Sequence, residues 1–124
     1  GKVWSCFGWA DVVVLCKFWS KRHRVACKDG RQRSAFTSLH VETALLPLEG
    51  PLPARLDEAL LQAFRWLQEH LTDTPVDATW TGRPVAQYLL EDEVRSSAAR
   101  AELRKCVAHL QRAVHQGSSA PVDL

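Results

Sequence analysis

Between Arg55 and Leu71 the apolar residues Leu56, Leu60, Phe64, Leu67 and Leu71 recur at spacings of three and four. Only a 3.6-residue period gathers such a set on one face, so the stretch is an amphipathic α-helix. Ala59, Leu61 and Ala63 add helix propensity, and the pattern ends near Thr72 and Asp73. A helix with one apolar stripe needs partners to cover it, and the flanking sequence supplies helices rather than strands. Trp9 to Lys21 carries Val12, Leu15, Cys16 and Trp19 at helical spacing, with Asp11 early and lysines late, as the helix dipole favours. A second helix starts at Ser34 or Ser38 and stops at Leu46, before Pro47; Gly50-Pro51-Leu52-Pro53 is a stiff connector. Lys28-Asp29-Gly30 marks a turn, and the polar residues through Arg33 read as a loop. Thr74 to Arg83 reads as an ordered loop with Trp80 plugging the core, Pro84 opens a short helix through Leu90, and Asp92 to His115 is the last helix. The expected fold class is all-α, a compact bundle of four to five helices.

A chain of 124 residues with 46% hydrophobic residues has material for one core. One helical domain is expected over residues 1–117, with 118–124 a disordered tail. No apolar run exceeds the five residues from Val12 to Cys16, which excludes a transmembrane helix, and the amino end lacks the pattern of a secretory signal. Cys6, Cys16, Cys27 and Cys106 contain no CxxC pair and three of them sit at helix-like apolar positions, so reduced thiols and a cytoplasmic location are predicted. The Gly1 start and the lack of any methionine point to a piece of a longer protein.

Charge is unevenly distributed. Seven basic residues (Lys17, Lys21, Arg22, Arg24, Lys28, Arg31, Arg33) stand against Asp29 alone, then ten acids from Glu42 to Glu93 face three arginines, and a second basic stretch follows from Arg95. The first block has the density that binds phosphate, either on a nucleotide or along an RNA backbone. In the RNA-binding alternative, Arg24, Lys28, Arg31 and Arg33 carry the contact; a protein-interaction module with the same basic face is the related reading.

Catalytic and metal constellations are sparse. Cys16, His23 and Cys27 match no compact zinc spacing, and no metal site is assigned. Nucleophile-elbow and phosphate-loop motifs are lacking, and no catalytic residue is assigned. Arg104 and His109 form an Arg-x4-His pair that resembles the motif of the all-α HEPN ribonucleases, where a histidine moves protons and an arginine holds the scissile phosphate.

Two segments together carry a broader resemblance. Leu15-Cys16-Lys17-Phe18-Trp19 with Lys21-Arg22-His23, followed by Thr37-Ser38-Leu39-His40-Val41-Glu42-Thr43, is similar to the paired helices in the second half of the oligoadenylate-synthetase and bacterial cyclic-oligonucleotide-synthetase superfamily. Pro75-Val76-Asp77 through Gly82-Arg83-Pro84-Val85-Ala86, and the Ala- and Arg-rich helix beyond, resembles the closing segment of the bacterial enzymes. The resemblance implies that Lys17 and Ser38 hold the phosphates of a donor nucleoside triphosphate, with Lys21 and Arg22 adding charge in the same motif. Where the family stacks an aromatic on the base this chain has Leu39, which leaves Phe36 or Trp80 to take that place. It also implies a partner: the catalytic half, in cis or in trans, whose carboxylates hold the magnesium ions of nucleotidyl transfer. The purely structural alternative for Lys17 is a lysine reaching out of a buried helix, and for Ser38 a helix cap.

Overall fold

The computed structural model describes residues 7–73 and 84–116. Five α-helices and one two-stranded ribbon follow in the order α1 (Trp9–Arg22), β1 (Arg24–Ala26), β2 (Gln32–Ser34), α2 (Ser38–Leu45), α3 (Leu56–His70), α4 (Gln87–Leu90) and α5 (Glu93–His115). A 3-10 turn, Leu46–Leu48, closes α2 where Pro47 cannot continue it. The fold is the expected mostly helical bundle.

Helix α3 is the hub. It packs against α5, α1 and α2, and its stripe of Leu60, Phe64 and Leu67 is buried to within 1%. Around it sit Val12, Cys16 and Trp19 from α1, Val41 and Leu45 from α2, and Ala99, Leu103 and Leu110 from α5. Three of the helix starts, those of α1, α2 and α5, have a local cause. The Asp11 carboxylate accepts the Gly8 N–H at 2.8 Å, Thr37 Oγ1 accepts the His40 N–H at 3.2 Å, and the Asp92 carboxylate accepts the Arg95 N–H at 2.9 Å. Thr37, rather than Ser38, is therefore the cap of α2.

One element departs from the sequence reading. Residues through Arg33 are not all loop: β1 and β2 pair antiparallel, with Arg24 opposite Ser34, Val25 opposite Arg33 and Ala26 opposite Gln32. Gly30 takes φ +84° in the connecting turn, a backbone region that other residues rarely adopt. The ribbon is held from outside, since the Asp92 carboxylate accepts the Lys28 N–H at 3.1 Å and Lys28 Nζ donates to the Glu91 carbonyl at 2.7 Å.

Cys16, Cys27 and Cys106 are free and buried. Burial, with Cys106 close by, pushes the Cys16 thiol up, and burial pushes Cys106 up to about 12. Cys6 and Trp80 lie outside the described residues, as do residues 74–83, expected to be a loop, and 118–124, expected to be a disordered tail. Among the described residues no helix is long and apolar enough to cross a membrane.

Candidate functional site

Lys17 extends from α1 toward α2, where its Nζ donates to Glu42 Oε2 at 2.8 Å. Ser38 and Glu42 are four residues apart, hence neighbours on one face of α2. The ion pair thus sets the Lys17 ammonium against the face that carries Ser38, itself exposed as the first residue of the helix. Both partners are solvent-accessible, the side chains being 28% and 52% exposed. Such a pair is worth about 0–1 kcal/mol, so a more highly charged anion can compete with Glu42 for the lysine.

One turn further along α1, Lys21 borders an open depression of about 510 Å³ that it shares with Arg24, Gln32, Arg33, Ser34, Thr37 and Arg95. Three elements build it. By the pairing register, Arg24, Gln32 and Ser34 share one face of the ribbon. The linker to α2 is fastened to α1 by Ser20, whose buried hydroxyl donates to the Phe36 carbonyl and accepts the Phe36 N–H, each at 2.7 Å. The Ala35 N–H donates to the Ser20 carbonyl at 3.1 Å. The first turn of α5 contributes Arg95, whose Nε and Nη2 donate to the Ser34 carbonyl at 3.2 and 2.7 Å and whose guanidinium lies 4.6 Å from the centre of the Tyr88 ring.

Behind this wall runs a buried polar chain. His40 is 1% exposed, with Nε2 at 2.7 Å from the Leu71 carbonyl and Nδ1 against the Tyr88 hydroxyl. A carbonyl only accepts, so Nε2 carries the proton and Nδ1 accepts from Tyr88, whose oxygen in turn accepts the Thr37 N–H at 3.1 Å. Burial, aided by the charge of Arg95 and opposed by the Leu71 carbonyl, holds the imidazole below its ordinary pKa. Burial likewise pushes the Tyr88 hydroxyl up to about 12.

The other predicted residues scatter. Arg22 is exposed at the end of α1 and is not among the residues lining the depression. Phe36 cannot stack on a base in this arrangement: it is 2% exposed, with Trp19 stacked at 6.2 Å and His40 edge-on at 5.8 Å, so both rings are part of the core. Lys28 and Arg31 are exposed on the hairpin turn, with the Lys28 ammonium on the Glu91 carbonyl. Arg33 pairs with Asp29 at 2.7 Å, and the Arg31 N–H first, then Arg33, hold that carboxyl below its ordinary range. Arg104 and His109 lie on α5 five residues apart, so they point about 140° away from each other. Cys16, His23 and Cys27 do not converge: His23 Nδ1 lies 2.9 Å from the Trp19 carbonyl with its ring stacked on Trp19, and Cys16 is deep in the core. No group of three metal-ligating side chains comes together among the described residues.

Sequence reasoning missed Arg95, Tyr88, Ser34 and Thr37. Arg95 was legible in principle, because the buried stripe of α5 through Leu110, Cys106, Leu103 and Ala99, carried back one more turn, arrives at residue 95. No protein-family model, curated protein or solved structure matches the chain.

Proposed function

We propose that this chain is the helical, nucleoside-triphosphate-binding half of a nucleotidyltransferase-like protein, working in the cytoplasm. The observation that carries the reading is the meeting of Lys17 with the Ser38 and Glu42 face of α2, with Lys21 one turn further along α1. An ammonium and a hydroxyl on adjoining helices offer a compact charge and a hydrogen bond to the same phosphate. In this reading the donor's phosphates displace Glu42 from Lys17 and extend toward Lys21, with Arg22 adding charge at the helix end. The magnesium ions and the in-line chemistry belong to the catalytic half, and this chain's residues bind and orient the donor.

Titration of the chain with ATP, followed by calorimetry and heteronuclear NMR, tests it. Saturable binding with shifts at Lys17 and Ser38, largely lost in Lys17→Ala, is the expected outcome. Shifts confined to residues away from both would overturn it. The RNA-binding reading is favoured by one observation: Arg24, Lys28, Arg31 and Arg33 are exposed on a single hairpin. Its signature is RNA affinity that falls steeply with salt, irrespective of sequence.

A further inference from the structure

Arg95 poses a problem that the nucleotide reading leaves unanswered. It is 7% exposed, yet no carboxylate of the described residues lies within ion-pair distance of it. Its partners are the Ser34 carbonyl, the Ser34 hydroxyl at 3.4 Å and the face of Tyr88, all without net charge. Proteins rarely bury a guanidinium without a counter-charge, because the desolvation cost then goes uncompensated. The position aggravates it, since Arg95 is the third residue of α5, where the helix dipole disfavours a cation. The nearby Asp92 carboxylate accepts the Arg95 and Lys28 backbone N–H groups and feels the Arg95 charge, but it makes no direct ion pair with the guanidinium, whose fork faces neutral groups.

The surplus of charge is shared by the walls of the depression. Lys21 and Arg24 add two further cations, and the Arg24 guanidinium donates only to a carbonyl, that of Gln32, at 2.6 Å. Arg33 is the member of the set that has a carboxylate, Asp29. Ser34, Thr37 and Gln32 supply neutral polar groups around the same space.

We propose that this depression, walled by the ribbon, the start of α2 and the first turn of α5, is a second anion site that takes a terminal phosphate group, with Arg95 at its base. A guanidinium fork matches two oxygens of a phosphate, and Lys21 and Arg24 close on the others from the rim. The cations converge on one concavity and its anchor is buried. A terminal phosphate offers such a set of cations three free oxygens, whereas a backbone diester offers two. The site shares Lys21 with the proposed donor path but neither Lys17 nor Ser38 lines it, and it does not rest on the nucleotide reading.

The probes are inorganic pyrophosphate and two short oligonucleotides of one sequence, with and without a 5′-phosphate, titrated into the full chain at constant ionic strength under heteronuclear NMR. Expected are saturable shifts at Lys21, Arg24, Ser34 and the Arg95 Nε–H. Saturation by pyrophosphate assigns the site to a free ligand, and saturation only by the phosphorylated oligonucleotide assigns it to a phosphate on a larger bearer. Lys21→Gln, an exposed change that spares the fold, should weaken binding about tenfold, as the loss of one charge-assisted contact does. Arg95→Lys, which keeps the charge but not the fork, should weaken it by at least as much. The proposal is overturned if neither phosphate probe saturates, if sulfate at matched ionic strength binds equally, or if the unphosphorylated oligonucleotide gives the same shifts and affinity.

Discussion

The Tyr88 hydroxyl donates to His40 Nδ1 and accepts the Thr37 N–H, so one atom joins α4, α2 and the cap of α2. Tyr88→Phe leaves the buried His40 Nδ1 and the half-buried Thr37 N–H without this partner, and the expected cost is about 1–3 kcal/mol, read as a lower urea midpoint at unchanged slope. His40 brings a pH dependence with a definite sign. Its folded-state pKa is depressed, so the folded protein resists a proton that the unfolded chain accepts. Burial and the cationic Arg95 disfavour an imidazolium there, and they outweigh the Leu71 carbonyl, which favours it; the Tyr88 hydroxyl faces Nδ1. Stability from this residue is complete above about pH 6.5 and is lost as the pH falls below that value toward the depressed one. Denaturation curves across that interval should show the loss, and His40→Gln should flatten it.

At the scale of elements, the ribbon and α5 depend on one another through Asp92. Its carboxylate caps the helix and receives the Lys28 N–H, and both hydrogen bonds hold its pKa below the ordinary carboxylate range. Asp92→Ala should lower the melting temperature and speed amide exchange in the ribbon and in the first turn of α5 together; exchange that rises in only one of them would mean that the two are not coupled. This tie also explains which elements the sequence disclosed. Helices α1, α3 and α5 announced themselves because their own residues repeat with the period of the helix they form. The strands Arg24–Ala26 and Gln32–Ser34 carry one buried apolar residue, Val25, and no alternation, so nothing local marks them. They exist because Asp92 and Arg95, more than sixty residues away, hold one end and one face. The candidate site divides in the same way. Lys17, Lys21 and Ser38 were legible from charge and motif order. Phe36 is a candidate only because Leu39 stands where the related family has its aromatic; nothing in the sequence shows that Ser20 fastens the Phe36 backbone to α1 with the ring buried.

At the scale of the whole molecule, charge and packing are segregated. The apolar contacts centre on α3, whereas Lys21, Arg24 and Arg33 of the first basic block gather with Arg95 where α1, the ribbon, α2 and α5 meet. That separation predicts that charge-removing changes at Lys21 or Arg24 alter anion binding with little change in melting temperature. The imidazole of His40 has one more consequence. It touches Leu71 through Nε2 and Tyr88 through Nδ1, residues that stand on either side of positions 74–83 in the chain. A single backbone scission within 74–83 would therefore leave the later fragment tied to the earlier one through Tyr88 on the His40 ring and through the packing of α5 on α3. Native mass spectrometry of a nicked sample should find the two pieces travelling as one particle, which would make this protein a natural candidate for a two-part reporter reassembled from separate polypeptides.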